Sequence, residues 1–143
     1  MGARIYEVSR TINASETKVW ELLTDAGRYA DWNDAVISII GPIEQGGTIE
    51  LVSVANPKRT FTLEVTEMLP PRRMVWSDGM PLGLFRGERA FTIEPTGDGA
   101  VEFTMTERFS GPLARLITKA IPDLTDSFNL FADGLKVAAE SDG

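Results

Sequence analysis

Arg89 and Glu107 are two charged residues in segments whose alternate positions are otherwise apolar or glycine. Alternate residues of an extended strand point to the same face of a sheet. One such face would hold residues 85, 87, 89, 91 and 93, and a second would hold residues 101, 103, 105, 107 and 109. An unpaired charge on a buried apolar face is very unfavourable. We therefore expect Arg89 and Glu107 to pair, either with each other or with a ligand.

The turn between the two segments predicts which residues face each other. A hairpin centred on Gly97-Asp98 pairs residues whose numbers sum to about 196, which places Arg89 opposite Glu107. A register shifted by two residues would make this pair diagonal, a separation that long side chains still span. Two interpretations follow: a structural ion pair near the strand ends, or a polar anchor inside a ligand pocket.

The residue types that are missing narrow the possible chemistry. The chain has no His and no Cys, which excludes a Ser-His-Asp triad, a cysteine nucleophile and the usual zinc sites. Its Asp and Glu residues do not have the spacing of a calcium loop, and we expect neither a metal nor a cofactor. Glu107 is the candidate catalytic residue, a general base whose pKa would be raised by burial and lowered by Arg89.

Length, charge and hydropathy indicate the class of protein. The 143 residues, 43% of them hydrophobic, fit a single domain over 1–143 with its own core. A net charge of −7 argues against nucleic acid as a partner, because phosphate binding depends on clustered Lys and Arg. No apolar run approaches the ~18 residues of a membrane span. The start of the chain is charged, unlike a signal peptide, so we expect a cytoplasmic protein, either a monomer or a homodimer.

The order of predicted elements follows from residue patterns and turn residues. Residues 4–12 are typical of a strand. Ser15 is typical of a helix N-cap, and it is followed by a helix and by a second short helical turn that ends at Trp32. Turn residues divide the stretch from Val36 to Phe109 into six strand-like segments. A short helical segment over 113–120 precedes a long final helix, predicted to have Pro122 in its first turn. The final helix has one apolar stripe, formed by Leu124, Phe128, Phe131 and Leu135.

These elements predict an α+β fold. A curved, seven-stranded antiparallel sheet would wrap around the long C-terminal helix, with two short helices after the first strand. Bulky side chains would hold the sheet and the helix apart and leave an internal cavity. The residues expected to bind a ligand there come from the inward strand faces, the loop ends and the final helix: Trp32, Phe61, Leu63, Trp76, Phe85, Arg89, Phe91, Phe103, Met105, Glu107, Leu124, Phe128 and Phe131.

Three loops should lie together at one end of this fold. In a meander of hairpins, the loops after the third, fifth and seventh strands emerge on the same side, and these are residues 55–59, 79–84 and 110–112. The middle loop continues into Phe85, and the segment Met80–Phe85 is apolar for a surface loop. It could form the lip of an opening, contact a partner or fold back over the core.

Several segments together resemble the SRPBCC superfamily, the START-like helix-grip fold, and especially its polyketide cyclase/dehydrase-like branch. The resemblance lies in the opening from Val8 to Trp32, the run Leu84–Phe91, the turn from Pro95 to Gly99, and Glu107–Gly111. It implies a deep cavity between a curved sheet and the C-terminal helix. It also implies binding of lipids, aromatic polyketides or hormones, with cyclase or dehydratase activity in a minority of members.

The sequence departs from this family at one position that matters for the chemistry. Many relatives place His where this chain has Arg89. A guanidinium has a pKa above about 12 and cannot act as a general base near neutral pH. It can hold a carboxylate, a phenolate or a developing enolate, so Arg89 favours anion binding over proton abstraction.

Three functions are compatible with these observations. The leading hypothesis is a small-molecule binding protein with a mostly apolar cavity for a hydrophobic, lipid-like or aromatic ligand. The second is an enzyme, a polyketide cyclase, aromatase or dehydratase that uses Glu107. The third is a protein-interaction module that recognises its partner through Met80–Phe85.

Overall fold

A computed structural model describes residues 4–141. One antiparallel sheet of seven strands has the order β1-β7-β6-β5-β4-β3-β2, which confirms the predicted α+β helix-grip fold. The strands are β1 (Arg4–Ile12), β2 (Val36–Ile40), β3 (Thr48–Ser53), β4 (Asn56–Leu69), β5 (Arg73–Gly79), β6 (Arg86–Pro95) and β7 (Val101–Ser110). The helices are α1 (Glu16–Thr24), α2 (Tyr29–Trp32), α3 (Ala114–Ile117) and α4 (Thr125–Glu140).

The sheet combines a simple meander with one returning strand. Strands β2 to β7 pair in chain order, and β1 pairs with β7 at the far side. The pairing slips by one residue in the β2–β3 and β4–β5 ladders and by three residues in the β3–β4 ladder. Such bulges bend a strand and increase its twist. The irregularities lie in strands β2 to β5.

The β6–β7 hairpin has the register expected from its turn. Arg89 pairs with Glu107, and Phe91 pairs with Met105. Burial along β7 alternates strictly from Val101 to Phe109, so the odd-numbered residues face the interior. This confirms both the predicted register and the predicted inward face.

Helix α1 begins where the sequence predicts. Ser15 is the N-cap, and its hydroxyl accepts a hydrogen bond from the Lys18 backbone N–H at 3.1 Å. This bond satisfies one of the N–H groups left free in the first helical turn. Val19, Leu22 and Leu23 are buried on its inner face.

Helix α4 begins later than predicted. It starts at Thr125, and Pro122 lies in the preceding link, so the placement of Pro122 in the first turn is wrong. The Asp123 carboxylate accepts a hydrogen bond from the Thr125 N–H at 2.9 Å. This side chain satisfies an early N–H, and the helix follows it. Among residues 4–141, no helix has both the length and the apolar character needed to cross a bilayer.

The apolar stripe of α4 fills one half of the concave side of the sheet. Phe131 is the centre of this packing, with ring centroids 5.5 Å from Trp32, 6.0 Å from Tyr29 and 5.7 Å from Phe91. Edge-on and tilted aromatic contacts at these distances are typical of a close-packed core. The space between sheet and helix is therefore closely packed around Phe131.

Candidate functional site

A cavity of about 160 Å³ lies beside this packed half. It is enclosed by the inner face of strands β3 to β7 and by the link between β7 and α4. Exposed Arg59 and Pro122 are among its lining residues, so the cavity meets solvent between the start of β4 and this link. The lining residues are Leu51, Ser53, Ala55, Asn56, Arg59, Phe61, Leu63, Trp76, Asp78, Phe85, Gly87, Arg89, Glu107, Phe109, Ile117, Ile121, Pro122 and Leu124.

Arg89 and Glu107 form an ion pair on the cavity wall. Arg89 Nε donates to Glu107 Oε1 at 2.8 Å, and the two side chains are only 14% and 11% exposed. Their backbones are directly opposed in the β6–β7 ladder, so the pair is set by the strand register. The structure thus brings together both residues that the sequence singles out.

Most of the Arg89 guanidinium is still available for another partner. Its Nε is committed to Glu107, and its Cζ lies 5.0 Å above the ring of Phe128. Within the part of the chain that the structure describes, neither Nη group of Arg89 has a hydrogen-bond acceptor. A guanidinium presents five N–H donors in a planar fork. Arg89 can therefore donate to a further acceptor in the cavity.

Burial and neighbouring charges act in opposite directions on Glu107. Loss of hydration raises the pKa of its carboxyl, and the charge and hydrogen bond of Arg89 pull it partly back. The negative charge of Asp78, another cavity residue, raises the Glu107 pKa further. The net direction is upward, so Glu107 takes up a proton more readily than an exposed glutamate does.

The ion pair belongs to a row of side chains that crosses the sheet. In the ladders, Tyr6 of β1 is opposite Glu107, and Trp76 of β5 is opposite Arg89. The indole N–H of Trp76 is buried and has no hydrogen-bond partner among the described residues. In helix α2, burial raises the pKa of Tyr29 far above its usual range, and the positive charge of Arg89 offsets part of this rise.

The predicted ligand-binding residues fall into two groups. One group lines the cavity: Phe61, Leu63, Trp76, Phe85, Arg89, Glu107 and Leu124. The other lies in the packed core: Trp32, Phe91, Phe103, Met105, Phe128 and Phe131. The second group is separated from the cavity because the aromatic rings of α4 pack directly against the sheet and against α2. Two residues of the second group contact cavity residues: Phe128 lies under Arg89, and Phe91 packs against Trp76.

Several lining residues were not singled out by sequence reasoning. They lie mainly at the β3–β4 turn and in the link between β7 and α4, for example Ala55, Asn56, Ile117 and Ile121. The prediction that the loops after the third, fifth and seventh strands share one end pointed to this region. No residue pattern indicated how the link folds across the end of the sheet.

The segment Met80–Phe85 lies at the same end of the sheet as the cavity. Phe85 lines the cavity, and its ring stacks on Phe109 with centroids 5.9 Å apart. Leu82 is 96% exposed and has a φ of 62°, in the left-handed region that non-glycine residues rarely adopt. The Leu84 carbonyl accepts from the Leu113 N–H at 2.9 Å. The segment is thus tied to the link, while its tip points into solvent.

The polar groups of the cavity can bind an acceptor or move a proton. Over residues 4–141, no three acidic side chains come together in an arrangement that could hold a metal ion. What the cavity offers is the unused donors of Arg89 and a carboxyl with a raised pKa, in a mostly apolar wall.

Comparison with known proteins supplies the family context. The family described as "Polyketide cyclase / dehydrase and lipid transport" has a model that matches residues 4–140. A search of curated proteins found no significant match.

Solved structures share the fold at low sequence identity. The Zhui aromatase/cyclase from Streptomyces sp. R1128 superposes with a TM-score of 0.75 at 18% identity, covering 96% of this chain and 94% of that one. A norcoclaurine synthase point mutant from Thalictrum flavum, in complex with a transition-state analogue, gives 0.71 at 13% identity, with 96% and 94% covered. A START superfamily protein from Mycobacterium smegmatis gives 0.68 at 13% identity, with 95% and 97% covered.

Proposed function

This chain belongs to the polyketide cyclase/dehydrase and lipid transport family, and from that premise we propose that it binds a small, mostly apolar molecule in the cavity beside Arg89. The observation that carries the proposal is the cavity itself: about 160 Å³ of space with a mainly apolar wall that contains the Arg89–Glu107 ion pair. Pockets that bind small molecules have this character, with apolar contact area and a few polar groups that orient the ligand.

The size of the cavity limits the ligand. An apolar cavity of about 150 Å³ is large enough to hold benzene. The cavity here therefore accommodates one ring fully, and any larger part of a ligand would extend past Arg59 and Pro122 toward solvent. This argues for a compact aromatic compound, or for one ring of a larger molecule, rather than complete enclosure of a multi-ring polyketide.

A ligand screen with two arginine variants tests the proposal. Native mass spectrometry and thermal shift would be run against lipids, flavonoids, polyketides and single-ring aromatics. Arg89→Met should weaken binding of the best ligand about tenfold or more, because a charge-assisted hydrogen bond contributes roughly 1.5–3 kcal/mol. Arg108→Met is the matched control, since Arg108 is the exposed residue next to Glu107 on β7, and it should bind normally. Failure of every compound class to bind the wild-type protein would end the proposal.

A second function, acid-base catalysis by Glu107, is favoured by one observation. Glu107 is a buried carboxyl on the cavity wall with a raised pKa, as expected of a catalytic acid or base. The likeness to an aromatase/cyclase suggests a polyketide-like substrate. The test is Glu107→Gln. Loss of turnover with binding retained would support catalysis, and the absence of turnover in the wild-type protein would leave only the binding role.

A further inference from the structure

Part of the Arg89 guanidinium has no partner within the described residues. Because Glu107 takes the Nε donor, the edge formed by the two Nη groups is the part left for a ligand. Two parallel N–H donors fit the two oxygens of a carboxylate, and such bidentate pairs are strong and geometrically specific. Arg89 is inside the cavity and mostly shielded from solvent, which strengthens its interaction with an anion.

The charges around the cavity balance before any ligand binds. Arg89 and Arg59 contribute two positive charges, and Glu107 and Asp78 contribute two negative ones. Adding an anion at Arg89 would leave this poorly hydrated site with an excess negative charge next to Glu107. Buried excess charge is usually removed by a change of protonation. Glu107 is the acidic group in direct contact with Arg89, and it is therefore the group that would accept the proton.

The other groups that face Glu107 come from several elements. Tyr6 lies opposite it on β1, Arg89 lies opposite it on β6, and Asp78 of β5 acts on it through its charge. Tyr29 of α2 lies within electrostatic range of Arg89 and is neutral, since burial raises its pKa. The described residues of the link and α4 that line the cavity or contact Arg89 have side chains that do not titrate: Ile117, Ile121, Pro122, Leu124 and Phe128.

We propose that the ligand is a compact aromatic acid that binds as its carboxylate to the Nη edge of Arg89, together with one proton taken from solvent by Glu107. This inference rests on the proposed binding function and specifies its ligand class. In the complex, the ligand carboxylate accepts from Arg89, and Glu107 becomes a neutral carboxylic acid. The raised pKa of Glu107 in the free protein reduces the cost of this step. The net reaction is uptake of one anion and one proton by the protein.

Calorimetric titration with benzoate and with its uncharged methyl ester tests the proposal. Between about pH 6 and pH 8 benzoate is fully ionised, so any pH dependence comes from the protein. We expect benzoate affinity to fall by up to about tenfold per pH unit as the pH rises, which is the slope for uptake of one proton. Methyl benzoate should bind with little pH dependence. Titrations in buffers of different ionisation enthalpy should show uptake of close to one proton per benzoate.

Two variants assign the proton and the anion to their residues. Glu107→Gln should bind benzoate with its pH dependence lost, and Arg89→Met should lose the preference for benzoate over its ester. Arg108→Met should behave like the wild type. If Glu107→Gln does not fold, the proton count on the wild-type protein decides the question.

The possible failures are distinguishable. If the ester binds as well as benzoate at every pH, or if benzoate binds without proton uptake, this inference is wrong and the proposed binding function stands. If neither probe binds and the ligand screen is also empty, the binding function itself fails.

Discussion

At the scale of single residues, the stability of the site depends on the ion pair that Arg89 forms with Glu107. Removing one partner of a buried ion pair costs about 3–5 kcal/mol, because the other charge is left unpaired. Glu107 can relieve that cost by taking a proton. Its pKa is raised by burial and held down by Arg89, so loss of Arg89 would raise it further.

We therefore expect Arg89→Met to be about 3 kcal/mol less stable than the wild type at pH 8, with a smaller deficit at pH 5. The direction of this pH dependence follows from linkage. A carboxyl whose pKa is higher in the folded state keeps its proton there at pH values where the same carboxyl has already ionised in the unfolded state. The free energy of unfolding then falls as the pH rises from the unfolded pKa to the folded one. Urea unfolding at both pH values measures this. The double variant Arg89→Met/Glu107→Gln should lose the added pH dependence. If Arg89→Met loses the same free energy of unfolding at pH 5 and at pH 8, this expectation is wrong.

The pairing of Arg89 with Glu107 could be predicted because local signals specify it. The turn at Gly97-Asp98 sets the register and strand alternation sets the face, and together they place the two residues opposite each other. The sequence could not predict which N–H donors of the Arg89 guanidinium are free. That depends on the rotamer of Arg89 and on its stacking over Phe128, and both are decided by packing between distant segments.

At the scale of elements, the position of α4 depends on a close approach to α2. A Cβ at Gly134 would collide with the backbone carbonyl oxygen of Trp32. The glycine is therefore required by the contact, although it weakens the helix by about 1 kcal/mol relative to alanine. The same contact places the Trp32 and Phe131 rings 5.5 Å apart.

Gly134→Ala should consequently destabilise the protein by about 2 kcal/mol, in spite of the better helix propensity of alanine, because the two helices must separate. Gly27→Ala is the matched control. The Cβ it adds would meet only the Asp25 side chain, at an ordinary 3.6 Å, and its stability should change by less than about 0.5 kcal/mol. Urea unfolding of the two variants makes the comparison. Equal stability would show that α4 and α2 can move apart without loss.

The elements also show where a sequence pattern ceases to be informative. The stripe on α4 predicted an inward helical face, and Phe128, Phe131 and Leu135 are indeed buried. The same stripe could not show whether these rings hold the sheet away or pack against it. Ring packing fills the space around Phe131 beneath α4, and the cavity beside Arg89 lies instead under the link that contains Ile117 and Ile121. The sequence predicts a short helical segment in the link, but no pattern predicts the path of the link across the sheet, which depends on tertiary contacts.

At the scale of the whole molecule, the fold is divided into a solid half and a hollow half. The solid half contains α1, α2 and α4 against the sheet, and its close packing supplies stability. The hollow half contains the link between β7 and α4, which includes the short helix α3 and crosses the curved end of β3 to β7. An unfilled cavity reduces stability because its lining atoms lose packing partners. Because of this division, one part of the fold can contain a binding cavity while the close packing of the other part stabilises the structure.

Filling the hollow half tests this division directly. Gly87 lies on the cavity wall, where an added Cβ would be 3.3 Å from the Phe109 ring and 3.7 Å from Glu107 Oε2. Gly87→Val would occupy part of the space. The tight contact is with a side chain that itself borders the cavity and can shift into it. Valine also favours a strand, and replacing an interior glycine gains roughly 0.5–1 kcal/mol.

We expect Gly87→Val to unfold at the same urea concentration as the wild type or at a higher one, and to lose at least about tenfold in affinity for a ligand enclosed by the cavity. Thr92→Val is the control, because it makes a similar side chain on the outward face of the same strand. It should keep full affinity. Calorimetry with benzoate and urea unfolding of both variants provide the two measurements. Undiminished affinity in a folded Gly87→Val protein would place the ligand outside this cavity, and the hollow half would then have no part in binding.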